Sequence, residues 1–273
     1  HPRPSPGRYH MTVAILIPAR YESVRFPGKP LAELELPTGE RKSLLRLTWE
    51  AACAVPGDYA VHVLTDSDRI RSAAEGFGAS VIMTSSDCRN GTERCAEAAG
   101  QVDADVIVNF QGDAPLTPPW FVEELIAAIL NAPPEIGMAT PVLKCDKATY
   151  ELFREDRRND RVGGTTAVFD VNRNALYFSK EVLPWMDPTE ARNDPQTWHH
   201  VGLYAYRTAS LAAYSNLPEG RLETLEGLEQ LRFLEHGYKI RCVEVEARGR
   251  VFWELNNPQD IPRIEAALRE LSQ

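Results

Sequence analysis

A chain of 273 residues with 43% apolar and 25% charged side chains is long enough to bury about three quarters of its unfolded surface, which excludes a disordered or disulfide-stapled protein. A net charge of −9 argues against a nucleic-acid surface, and with no apolar stretch near the roughly 18 residues a span needs, no membrane helix is expected. Five scattered cysteines without a CxxC pair, Cys53, Cys88, Cys95, Cys145 and Cys242, indicate reduced thiols and a cytoplasmic setting; the Cys88 and Cys95 spacing matches no common zinc site.

The first ten residues, HPRPSPGRYH, carry three prolines and no hydrophobic period, and are expected to be a flexible extension or expression remnant; the fold is expected to begin at Met11 as one domain over 11–273. TVAILIPA reads as a buried strand, SLLRLTWEAACAV as a helix, AVHVLT as a strand and SDRIRSAAEGFG as a helix capped by Ser67 or Asp68. SVIMT is a short strand, GTERCAEAAGQV a helix, DVIVNF a strand and PPWFVEELIAAILNA a helix started by proline. This alternation predicts an α/β fold with a mainly parallel sheet flanked by helices and a ligand crevice beyond the strand C-termini. From about 137 to 207 the pattern turns strand-rich (GMATPVLK, VGGTTAVFD, ALYFS, HVGLYAYR), predicting a sheet extension together with a smaller flap or dimerisation region. TLEGLEQLRFLEHG, KIRCVEVE and the closing helix PQDIPRIEAALRELSQ follow.

Two segments carry chemistry. PARYESVRFPGKP places Arg20, Arg25 and Lys29 among turn-forming residues of an otherwise acidic chain, a candidate phosphate cradle that is not a Walker loop. NFQGDAP ends the apolar strand with Asp113 on a sharp turn, where one carboxylate could hold a metal but a nucleotide-bound Mg²⁺ usually wants a further anionic partner.

IPARYESVRFPGKPLAEL resembles the nucleotide-binding signature of the sugar-acid cytidylyltransferases, in particular the CMP-Kdo synthetases, which join CMP to 3-deoxy-manno-octulosonate (Kdo). NGTERCAEAA, VIVNFQGDAP, ALYFSKEVLPW, HHVGLYAYR and LETLEGLEQLRFLEHGYKI resemble further segments of that family in the family's order, the last of them its LE…EQLR helix. The resemblance implies a Rossmann-like nucleotidyltransferase fold, a homodimer, and use of CTP and Mg²⁺ with release of pyrophosphate. It implies that Arg20, Arg25 and Lys29, with Ser23 beside them, neutralise the CTP phosphates, and that Asn90, Gly91, Thr92, Glu93 and Arg94 border the cytosine. Gln111 falls near the ribose or the acceptor and Asp113 on the metal, which with Arg20 and Lys29 form the implied catalytic set, while Lys180, His200, Tyr204, Glu229 and Gln230 would face the acceptor.

This chain departs from the family's pattern near that crevice. In the resembled family the partner of Asp113 lies in a segment reading roughly GVDTPEDL; aligning its proline with Pro258 puts Asn256 in place of the second metal aspartate, where its carbonyl oxygen is the implied second metal ligand, with Glu254 or Asp260 as the alternatives. Ala114 replaces a glutamate, Asn90 a serine, and Lys180 an arginine whose planar fork suits a carboxylate. With the CTP half intact and the acceptor half altered, the expected acceptor is a small anion such as phosphonoformate, as in phosphonate biosynthesis. The alternatives are Kdo or a related sugar acid, and a non-catalytic CTP-binding homologue. A glycosyltransferase is disfavoured, since no DxD triplet surrounds Asp113.

Overall fold

The computed structural model describes residues 10–162 and 164–272; the expected extension at 1–10 lies, but for His10, outside the described residues. The first strand, β1 (Val13–Pro18), puts Ile15 and Ile17 into one apolar cluster and Ala14 and Leu16 into another, because successive strand side chains point to opposite faces. β6 (Val106–Phe110) repeats the pattern, with Val106 and Val108 on the first face and Ile107 on the second. Both strands are therefore apolar throughout, as a sheet covered on both faces requires.

Between them the alternation follows the expected spacing closely. After a small hairpin of β2 (Glu33–Glu35) and β3 (Arg41–Ser43) come α1 (Leu44–Cys53), β4 (Ala60–Thr65), α2 (Asp68–Gly76), β5 (Ser80–Met83) and α3 (Gly91–Ala99). Ser67 caps α2 by accepting the Ile70 N–H at 3.4 Å. α4 (Pro119–Asn131) follows β6 and packs with α1 and α2 on the first face.

The later chain contains β7 (Ile136–Lys144), α5 (Lys147–Arg158), β8 (Thr165–Phe169), β9 (Ala175–Ser179), α6 (Pro188–Asn193), β10 (Trp198–His200), β11 (Leu203–Arg207) and α7 (Thr208–Asn216). It ends with α8 (Arg221–Glu226), α9 (Leu231–Glu235), β12 (Lys239–Val245) and α10 (Ile261–Leu271). The described residues form a ten-stranded sheet in the order β5-β4-β1-β6-β11-β7-β10-β8-β9, with β12 parallel to β7. The β5-β4-β1-β6 side is parallel, and the antiparallel pairs come from the strand-rich segment, whose strands all join this sheet. No helix among the described residues is long and apolar enough to cross a membrane, and all five cysteines are free.

The strand-rich reading passed over α5, α6 and α7. The LE…EQLR stretch, expected as one helix, is two, broken where Gly227 turns left-handed (φ 64°). The break folds α9 back so that the fully buried Arg232 meets Glu223 of α8 bidentately, at 2.8 and 2.6 Å, and Glu93 of α3 at 3.1 Å, over the face of Tyr214. Removing the cation would strand the buried Glu223 carboxylate. Arg232→Met is expected to cost about 3–5 kcal/mol in urea unfolding, and Arg232→Met with Glu223→Gln distinctly less; equal losses would show that charge pairing is not what holds α9.

Candidate active site

The loops after β1 and β6 and the start of α3 converge on a cleft of about 320 Å³ at the C-terminal ends of the parallel strands. Close approach requires Gly112, where a Cβ would lie 2.8 Å from the Pro18 carbonyl oxygen. Arg20, Ser23, Arg25 and Lys29 line one side, and Asn90, Gly91, Arg94, Gln111, Asp113 and Glu229 the other. Arg20 and Arg25 are exposed and form no ion pair among the described residues. Lys29 Nζ contacts Asp113 Oδ2 at 2.8 Å.

A roomier cavity of about 640 Å³ beside β12 and α10 is more apolar, and its cations are engaged: Lys144 pairs with Asp194 at 2.8 Å, Arg250 lies over Trp120 and Arg263 over Trp253. The smaller cleft is the one with unpaired arginines, a helix N-terminus and a carboxylate, the set that an anion with its counter-ion requires.

The wall beside α3 is already hydrogen-bonded. Asn90 caps the helix, its Oδ1 accepting the Glu93 N–H at 2.8 Å while its Nδ2 donates to the Tyr214 hydroxyl at 3.0 Å, so both ends of its amide are spent. Thr92 is buried, with its hydroxyl 2.7 Å from that of Tyr206 and its N–H donated to Glu229 Oε2 at 3.2 Å. Arg94 is buried on Thr84 and the Ser85 carbonyl. Desolvation pushes Glu229 up to about 7, against the opposing hydrogen bonds from Thr92.

The residues expected at the acceptor divide. Gln111 and Glu229 stand in the cleft, with Gln111 Nε2 donating to Asn109 at 3.1 Å and to Glu229 at 3.5 Å. His200, Tyr204 and Gln230 are buried and do not line it: His200 Nε2 lies 2.8 Å from the Thr140 hydroxyl, and the Tyr204 hydroxyl donates to Gln230 at 3.3 Å. Burial, with His199 beside it, lowers His200 to about 3, so its ring is neutral at pH 7. Lys180 also lies outside the cleft, its N–H on Glu226 at 2.9 Å and its ammonium against Gly227.

Beside Asp113 the structure places Glu254. Its carboxylate is raised to about 7 by desolvation and then by the Asp113 charge, while the Gly202 N–H, Lys29 and the Asn256 amide pull it down. Asp260 is consumed locally, accepting the N–H groups of Asn256 and Asn257 at 3.0 and 2.7 Å and the Trp253 indole at 3.1 Å. Among the described residues no three acidic, His or Cys side chains gather as a metal cage. Two carboxylates beside a phosphate cradle nevertheless fit Mg²⁺, which usually takes one or two carboxylates plus substrate phosphates and water. Sequence reasoning overlooked Arg89, Asn109 and Tyr206 in these walls; only Asn109 and Tyr206, polar atoms within apolar strand runs, gave any signal.

Comparison with known proteins agrees with this geometry. A family model described as Cytidylyltransferase matches residues 14–240. The chain is 42% identical over 261 residues to the 3-deoxy-manno-octulosonate cytidylyltransferase of Maricaulis maris (strain MCS10), covering 94% of this chain and 97% of that protein. It is equally identical over 261 residues to the 8-amino-3,8-dideoxy-manno-octulosonate cytidylyltransferase of Shewanella sediminis (strain HAW-EB3), covering 94% and 99%. A solved CMP:2-keto-3-deoxy-manno-octonic acid synthetase complexed with CTP superposes with a TM-score of 0.80 at 33% identity, over 95% of this chain and 99% of that one. The chain belongs to the cytidylyltransferase family, in its CMP-Kdo-synthetase-like group, and is a CTP-dependent nucleotidyltransferase.

The raised Glu229 fixes a sign. A carboxyl whose folded pKa exceeds its unfolded one binds its proton more tightly when folded, so its contribution to stability falls as pH rises from about 4.5 to about 7. Glu229→Gln is expected to remove that decline, so the variant's Tm relative to wild type rises across this window; parallel Tm-against-pH curves would refute the upward shift of the Glu229 carboxyl.

Proposed function

We propose that the chain transfers CMP from CTP to a 3-deoxy-octulosonate-type sugar acid, Kdo or its 8-amino analogue, with release of pyrophosphate. The observation that carries this reading is the basic cradle of Arg20, Arg25 and Lys29 facing Asp113 across a cleft at the strand C-termini. The names of the relatives supply the acceptor class. The phosphonate expectation finds no support among them, and its premise, a missing charge at Asn256, is weakened by the Glu254 carboxylate beside Asp113.

The chemistry needed is positioning and charge neutralisation. An acceptor oxygen bonds to the α-phosphorus of CTP as the bond to the bridging oxygen of the β-phosphate breaks, and pyrophosphate leaves with that electron pair while the acceptor proton passes to solvent. Arg20 and Arg25, unpaired and exposed, meet the triphosphate, and Lys29 exchanges Asp113 for a phosphate oxygen as it arrives. The N-terminus of α3 adds favourable potential for the anion. Mg²⁺ is part of the proposal: Asp113 would hold it, and when bound it supplies charge neutralisation between phosphates and acceptor. His200 is buried on Thr140 outside the cleft and stays neutral, so it supplies no cation to the site. The enzyme is proposed to work as a homodimer, which light scattering on the purified chain would check.

Pyrophosphate release with CTP and Mg²⁺ is expected with Kdo or 8-amino-Kdo, well above phosphonoformate and well above reactions with ATP, GTP or UTP. Lys29→Met is expected to lower kcat/KM for CTP by about 10²–10³-fold. Tight CTP binding without turnover of any sugar acid would sink the acceptor assignment, and preferential turnover of phosphonoformate would replace it.

A further inference from the structure

Asp113 ends its strand with one neutralising side chain, Lys29 at 2.8 Å. Glu254 lies near enough to feel both the Asp113 charge and Lys29 without an ion pair of its own to Lys29. Two carboxylates thus stand against one cation, even before a triphosphate draws Lys29 away.

The chain holds Glu254 in this place by several independent contacts. The Leu255 N–H donates to the main-chain oxygen of Asp113 at 2.9 Å, tying the two segments together at the residue next to Glu254. The Gly202 N–H donates to Glu254 Oε1 at 3.3 Å, and a Cβ at position 202 would fall 2.9 Å from that oxygen, so the absence of a side chain there leaves room for the carboxylate. The same Cβ would lie 3.9 Å from Cγ of Gln111, a residue of the cleft wall, so Glu254 stands behind that wall rather than in it. Asn256 supports Glu254 through its side-chain amide, and Asp260 is fully engaged by backbone and indole donors.

We propose that Glu254 and Asp113 together form the carboxylate pair that holds the nucleotide's divalent cation, with Asn256 a positioning residue for Glu254. The inference rests on the CTP-dependent reading above and deepens it. The carboxylate that the resembled family carries at the position of Asn256 is here moved two residues towards the N-terminus, so charge is retained while its point of attachment changes. The logic is electrostatic: once Lys29 turns to phosphate, two half-buried carboxylates are left without a cation, and a hard divalent cation held by them would supply the missing charge.

The test is Mn²⁺ binding, read by electron paramagnetic resonance of the full chain saturated with an α,β-methylene analogue of CTP, with analogue binding in chelator measured separately by calorimetry. Glu254→Gln is expected to weaken Mn²⁺ by about tenfold or more while metal-free analogue binding stays within about twofold. Gly202→Ala, which displaces the carboxylate without changing charge, should weaken Mn²⁺ likewise. The double variant Glu254→Gln with Asn256→Asp should recover much of the lost affinity, and Asp260→Asn should not alter it beyond about twofold. Mn²⁺ affinity unchanged by Glu254→Gln but lost on Asp113→Asn would overturn the assignment of Glu254 and leave the CTP reading standing. A wild-type chain that binds the analogue but no Mn²⁺ would overturn both this proposal and the metal-assisted part of the reaction.

Discussion

The site depends on a charge held where a nucleotide must displace it. Lys29 and Asp113 belong to segments 84 residues apart, yet their side chains meet at 2.8 Å because β1 and β6 lie side by side and Gly112 lets the loop after β6 touch the carbonyl of Pro18. Both partners are partly exposed, so the pair contributes little to stability. Its role is preorganisation: an acidic loop and a basic loop whose charges would otherwise be separately solvated are kept at bonding distance until a nucleotide's phosphates compete for the ammonium.

Around this pair the fold separates two tasks. The parallel strands β5-β4-β1-β6 end in loops and the N-terminus of α3, which provide backbone donors and cations for a polyanion. The antiparallel side contributes buried polar side chains, His200 and Tyr204, linked through Gln230 at the start of α9, whose Nε2 lies 3.5 Å from His200 Nδ1 and whose Oε1 accepts the Tyr204 hydroxyl at 3.3 Å. β11 joins the tasks, because it runs antiparallel between β6 and β7. Tyr204 and Tyr206, two residues apart on one face, direct their hydroxyls to Gln230 and to Thr92 respectively, with ring centroids 6.0 Å apart.

The parallel half was legible because each strand there is apolar on both faces and each helix has a cap or a proline at its start, as Ser67 and Pro119 show. The later half was less so. α5 begins at a polar Asp146 cap, is mostly charged and buries only Tyr150 and Phe153, so its two apolar anchors were passed over beside the apolar strands that bracket it. The LE…EQLR stretch reads as one amphipathic helix because hydrophobic spacing survives a single glycine, and the left-handed turn at Gly227 that splits it depends on the buried pairing of Arg232 with Glu223. Of the cleft residues, the loop cations and Asp113 could be read locally, being polar residues on turns after apolar strands. The engagement of Asn90, the burial of Thr92 and the proximity of Glu254 to Asp113 are products of long-range packing that no local pattern encodes.

Charge balance also explains why the change at Asn256 need not redirect the enzyme to another acceptor. What governs a cation site is the number and reach of its oxygens more than the position along the chain from which they come. Glu254 adjoins a residue whose N–H is bonded to the Asp113 main chain, so a second carboxyl group stands near Asp113 although position 256 carries no charge. The altered attachment does change geometry: Glu reaches one methylene farther than Asp, and its carboxylate is steadied from Gly202 on the β10-to-β11 turn, the same turn that leads from His200 to Tyr204. A shift of that turn would therefore move the Glu254 carboxylate with it.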